Sequence, residues 1–226
     1  MTVTRNELLD LAREYADAMD STRWSESLVL TVLSSVTDEE WSNILNASPY
    51  YTFAQRSVTT DAQGRVALSD LDYGSGDTAQ YWYRILSVTD ARVQYAQMEY
   101  LDAPMLADDV TWSWDRPSFY VAGDYLNIVP RTPNLPLLVT VNYKPPRLRQ
   151  LSSGLATVPF PSGSEMVLAY EGAAQMLLKG GTETASAVAL KGQADSERRN
   201  LLDDIRRRTT QPTFMAYPDR RGNWAG

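Results

Sequence analysis

With 43% hydrophobic and 22% charged residues over 226 positions, the chain has ordinary globular composition and length enough to bury a real core, as one domain or two closely packed ones. Its net charge of −7 speaks against a broad basic face that grips nucleic acid. Cysteine and histidine are both absent, which excludes disulfides, thiolate nucleophiles, thiolate or imidazole metal sites and imidazole acid–base catalysis.

No apolar run is long enough to span a bilayer, and Met1 to Glu7 has neither a basic region nor an apolar signal core. The expectation is synthesis and use in a cytoplasm, without membrane contact. Thr4-Arg-Asn-Glu7 has the spacing of a capping box and predicts a helix with Leu8, Leu11, Tyr15 and Met19 on one face, ending at Asp20-Ser21. A second helix is expected to carry Trp24, Leu28, Thr31, Val32 and Ser35. Thr37 to Glu40 caps a third, through Trp41, Ile44 and Leu45, which Ser48-Pro49 stops. Single apolar stripes on three short helices cannot bury themselves, so they should pack on helices elsewhere in the chain.

The middle of the chain changes period. Tyr51 to Thr60 alternates, Asp61-Ala-Gln-Gly64 signals a hairpin, and Arg65 to Leu68 returns. Further strands are expected over Tyr81–Thr89, Val93–Tyr100, Val110–Trp114, Phe119–Val121, Tyr125–Val129 and Leu137–Tyr143, with a short helical crossing at Pro104 to Leu106. Lys144-Pro145-Pro146 closes the last strand, because proline cannot donate to a ladder.

Ser162 to Glu165 has capping-box spacing and opens a helix on which Met166, Tyr170, Ala173 and Leu177 recur, with Val167, Ala174 and Leu178 beside them. Gly180-Gly181 breaks it, and Thr182 caps a long helix to about Thr209. That helix has an apolar stripe of Ala187, Leu190, Ala194, Leu201 and Ile205, and acid-first pairs Asp195–Arg199, Asp203–Arg207 and Asp204–Arg208. The fold class expected is α+β: a helical bundle from the N-terminal helices and a C-terminal helix pair, with an inserted antiparallel sheet or small barrel. Its parts are N-terminal helices over 1–49, the β insertion over 50–146, loop and helix pair over 147–209, and a tail over 210–226.

Asp70 to Asp77 alternates oxygen ligands as a calcium loop does, but Ser75 stands where the turn glycine belongs and Tyr81 where the closing glutamate belongs. Gly74-Ser-Gly76 lacks the third glycine of a dinucleotide fingerprint, and Lys179 to Thr182 is a scrambled phosphate loop. Asp108-Asp109 and Asp203-Asp204 are adjacent pairs whose side chains diverge. No catalytic residue, metal or cofactor is assigned. Tyr81, Trp82, Tyr83, Tyr95, Tyr100, Trp112, Trp114, Phe119, Tyr120 and Tyr125 suit strand cores and subunit interfaces, with sugar stacking in a carbohydrate-binding module as the alternative.

Arginines gather in the last third, at 147, 149, 198–199, 206–208 and 220–221. The tail from Gln211 is interrupted by prolines yet carries Phe214, Met215, Tyr217 and Trp224 beside Arg220 and Arg221, the composition of an anchor that orders on a partner.

The order of parts resembles the head-to-tail adaptor, or connector, proteins of tailed bacteriophages and gene transfer agents. The features that carry the resemblance are the short N-terminal helices, the β insertion, the strand running into Tyr143 to Leu148, the Val158-Pro-Phe-Pro161 loop, the helix from Glu165 to Lys179 and the long charged helix ending in a tail. The resemblance implies a non-enzymatic virion protein of the neck that forms a ring, commonly of twelve copies, between the portal protein and a stopper or tail protein. Duplex DNA would pass through its channel without specific binding, and the tail residues Phe214, Met215, Tyr217, Arg220, Arg221 and Trp224 would dock on the portal. Another neck or tail ring protein, such as a stopper, tail terminator or nozzle, is the alternative within the same class.

Overall fold

The computed structural model describes residues 3–16, 24–97, 117–180 and 184–209. Helix α1 (Arg5–Tyr15) begins in the expected capping box: Glu7 N–H donates to Thr4 Oγ1 (3.3 Å), and Thr4 N–H donates to the Glu7 carboxylate (2.8 Å). Two more of its first-turn donors are met from far along the chain, Arg5 N–H by the Ala156 carbonyl and Asn6 N–H by that of Gly154, both at 2.9 Å.

Helix α2 (Glu26–Ala47) is one helix where two were expected. Thr37 does not cap a new start. Its hydroxyl donates to the Leu33 carbonyl one turn back (2.7 Å), so the residue stays inside a continuous, buried stretch. Helix α3 (Glu165–Gly180) and helix α4 (Thr184–Thr209) follow the sheet in sequence. The four helices enclose an apolar core of Leu8, Leu33, Ile44, Leu168, Met176 and Ile205, with neighbours of similar character. Gly172 lets α2 and α3 approach closely, since a Cβ there would sit 2.5 Å from Leu33 Cδ2.

Seven strands form one sheet: β1 (Phe53–Thr59), β2 (Arg65–Ala67), β3 (Tyr81–Thr89), β4 (Gln94–Gln97), β5 (Ser118–Ala122), β6 (Tyr125–Val129) and β7 (Pro136–Lys144). Their order is β1-β7-β3-β4-β5-β6-β2. This corrects the expected architecture in two ways. First, the sheet is mixed, because β4 and β5 run parallel while every other neighbouring pair is antiparallel. A parallel pair needs a long crossover, which the chain from 98 to 117 is long enough to supply. Second, the sheet is not an appendage of a dominant helical bundle. It curls into a nearly closed, barrel-like body with its own core of Val66, Leu71, Val88, Phe119, Leu126, Ile128, Val139 and Val141.

The turn at Asp61 to Gly64 forms, but the hairpin expected around it does not, and the turn instead closes the barrel. β1 pairs with β7 and β2 with β6, so the two strands that flank the turn occupy opposite ends of the sheet. Because residues 60–64 are too few to span an open sheet, those ends must meet. Thr60 fastens the seam: its hydroxyl donates to the Thr132 carbonyl (2.7 Å) and accepts from Leu135 N–H (2.8 Å). Asp61 holds the turn, accepting from Gln63 N–H, Arg65 N–H and the Arg65 guanidinium. The strand expected at Val110–Trp114 and the crossing at Pro104 to Leu106 lie outside the described residues.

Gly64 has φ +72°, and a Cβ there would lie 2.9 Å from Thr132 N. Gly64→Ala therefore strains the seam twice, and urea unfolding is expected to show a loss of about 1–3 kcal/mol. Inside the barrel, burial and a hydrogen bond to Asp90 (3.0 Å) push the Tyr95 phenol up to about 12. An unfolded tyrosine ionises near pH 10, so the stability Tyr95 contributes is whole below that pH and is lost as pH rises through about 12. Tyr95→Phe is expected to remove this part of the alkaline stability slope, read as the difference between the two proteins' denaturation curves from pH 9 to 12.

Candidate interaction surface

Helix α4 is held in place by a charge cluster inside the helical layer. Glu40 on α2, only 1% exposed, and the buried Glu171 on α3 both face Arg198 of α4. Arg198 Nε donates to both Glu40 oxygens (2.8 and 3.0 Å), and Nη2 reaches Glu40 Oε1 (2.5 Å) and Glu171 Oε2 (3.3 Å). Nη1 binds Asp195. The hydrogen bonds from Glu40 raise the Arg198 guanidinium above its ordinary range despite the opposing effect of burial. Two carboxylates out of water are tolerable only because one planar fork serves both. The sequence reading paired Asp195 with Arg199 and Asp203 with Arg207. The ion pairs instead join Asp195 to Arg198 and Asp203 to Arg206, while Asp204–Arg208 forms at 2.6 Å. A signal for the missed pair does exist: Val36, Glu40 and Ile44 share one helical face, so an acid interrupts a buried stripe and requires a cation.

One residue beyond Glu40, Trp41 opens a groove where the helices meet the sheet. The cavity measures about 460 Å³, with walls from Trp41, Tyr51, Tyr143, Pro145, Phe160 and their neighbours. Trp41 Nε1–H donates to the Pro159 carbonyl (2.8 Å), and its ring lies edge-on to Phe160, with 6.0 Å between centroids. Thus Val158-Pro-Phe-Pro161, singled out in the sequence, forms one wall. Just outside, Tyr50 (63% exposed) and Phe53 (51%) make an edge-to-face pair at 5.7 Å. They stand at the entry of edge strand β1, most of whose residues are exposed. The groove and this pair form a continuous aromatic zone. Burial pushes the Tyr51 phenol up, opposed by the charge of Arg208 and reinforced by that of Asp204.

Of the helix residues expected to pack, Ala173, Leu201 and Ile205 are buried, whereas Leu177 and Leu190 are half-buried against the core. Met166 and Tyr170 are also half-buried, with the Tyr170 ring 4.7 Å from that of Tyr15. Leu178 is 50% exposed, while Leu168 and Met176, which the reading passed over, are fully buried. The α3 stripe is therefore rotated toward Leu168, Gly172 and Met176. Phe214, Met215, Tyr217, Arg220, Arg221 and Trp224, like Tyr100, Trp112 and Trp114, lie outside the described residues.

Among the described residues no group of three or more acidic side chains is arranged to hold a metal ion, and no helix is long and apolar enough to cross a membrane. No protein-family model matches the chain, and a search of curated proteins finds none significantly similar to it.

Arg198→Met leaves two buried carboxylates without a counter-charge and is expected to cost about 3–5 kcal/mol. Adding Glu40→Leu and Glu171→Leu to the same protein should recover most of that loss, as denaturant midpoints at matched m-values would reveal.

Proposed function

We propose that the protein is a structural component of a virion neck, a head-to-tail adaptor whose copies form a ring joining the portal to a stopper or tail protein and lining the DNA channel. The observation that carries this reading is the aromatic zone of Trp41, Tyr51, Phe160, Tyr50 and Phe53. Within that zone Trp41 and Phe160 are buried, whereas Tyr50 and Phe53 are exposed at a sheet edge, a poor surface for a lone chain and a good one for a subunit. After α4 the chain continues into the tail from Gln211, whose aromatics and arginines suit anchoring on a second protein. The predominantly acidic composition fits a channel through which DNA slides without adhering.

A second reading within the same class rests on the position of Tyr50 and Phe53 at the entry of β1. If that strand carries the main contacts, the protein is a stopper or tail terminator, and the tail is dispensable.

The test is electron microscopy of the purified protein mixed with portal rings from the same virus, comparing the full chain with one truncated after Gln211. The adaptor reading expects a second ring on the portal with the full chain alone. Rings from both forms would favour the β1-centred reading, and portals left bare by both would overturn the portal assignment.

A further inference from the structure

A second pocket lies on the opposite character of surface: small, polar and basic. On α2, Thr31, Ser34, Ser35 and Asp38 fall at helical spacing on one face, and the chain leaving β7 crosses them with Arg147 and Arg149. Together they line a hollow of about 180 Å³. That volume is too small for a nucleoside or a drug-sized ligand, and it suits a single compact group.

The local charge is unlike that of the whole chain. Asp38 is the one acid in the lining, and it is already engaged by Lys144 Nζ (3.1 Å) and Arg147 Nη2 (3.5 Å). Two cations thus hold this one carboxylate, with Arg149 a further cation in the lining, in a protein of net charge −7. Arg149 has no carboxylate within ion-pair distance among the described residues, so its guanidinium is open to an anion. The fourth observation concerns Ser34, which is 5% exposed. Its oxygen accepts from Arg149 N–H (3.2 Å), yet its own O–H meets no acceptor among the described residues. By contrast, Thr31 already donates to the Ser27 carbonyl (2.8 Å) and adds no free donor. A buried hydroxyl proton without an acceptor, beside an unpaired guanidinium, marks a place for an oxyanion.

We propose that this pocket binds one phosphate group, held by the guanidinium groups of Arg147 and Arg149 and by the Ser34 hydroxyl. Arginine suits the task because its planar fork meets two oxygens of a tetrahedral anion at once. The same chemistry is presented by free phosphate and by the backbone of duplex DNA, and Arg147 and Arg149 are both exposed to solvent. The assignment does not depend on the adaptor reading, since none of the pocket's lining residues belongs to the lining of the aromatic groove.

The experiment uses the full chain labelled with 15N and titrated with inorganic phosphate against chloride at matched ionic strength. In parallel, a fluorescent 20-base-pair duplex is titrated with the chain at the same salt. Saturable shifts of the Ser34, Ser35 and Arg149 amides are expected with phosphate and not with chloride. Arg147→Met combined with Arg149→Met, both at exposed positions, should weaken phosphate binding at least about tenfold, and Ser34→Ala by about fivefold. If duplex affinity falls in step with the double variant, the phosphate is that of DNA; if the duplex is indifferent, the ligand is a free phosphate. Shifts that match those in chloride, or that persist unchanged in the double variant, would overturn the proposal.

Discussion

The helical half of the molecule depends on a single guanidinium. Apolar packing is non-directional and lets one helix slide against another by a turn at modest cost, whereas the fork of Arg198 meets Glu40 and Glu171 in one register alone. Because Trp41 follows Glu40 on the same turn of α2, the interaction that seats α4 also sets the position of the groove's indole.

The sheet has an analogous point of closure. Thr60 is a short polar residue at the boundary between two strands that do not pair with one another, and its hydroxyl ties the end of β1 to the short connection between β6 and β7. The barrel-like curl follows from connectivity as much as from twist: adjacent elements in sequence have been placed at the two ends of the order, and a five-residue turn cannot bridge an open sheet.

Much of the local structure was legible in the sequence, and its limits have identifiable physical causes. The capping box at Thr4 depends on residues three apart, and β3 and β6 on the β-branched and aromatic content of each segment, so both could be read locally. Thr37 could not be, because a threonine before acids is equally a cap or a back-bonded interior residue, and burial against α3 and α4 decides between them. Strand order and the parallel β4–β5 pair arise from long-range pairing that no local pattern records. The α3 stripe was misplaced by a fraction of a turn because alanine, glycine and leucine occur on several of its faces, and Gly172, with no side chain to count, lies at the closest approach. The basic pocket was hidden for a different reason: Ser34 and Arg149 are brought together by tertiary structure, and the net charge of the chain averages it away.

The pairing of β1 with β7 also governs how the protein can be made. Phe53 lies opposite Asn142, about 90 residues later in the chain, and translation at roughly 5–20 residues per second separates their emergence by several seconds. During that interval β1 is synthesised without β7, its one strand partner among the described residues, carrying Phe53 with Tyr50 just ahead of it. The aromatic edge that suits a subunit contact is therefore also the segment most exposed to premature association on the ribosome, where neighbouring nascent chains offer the same edge. Correct folding of one copy consequently requires β7 to reach β1 before a neighbouring nascent chain does.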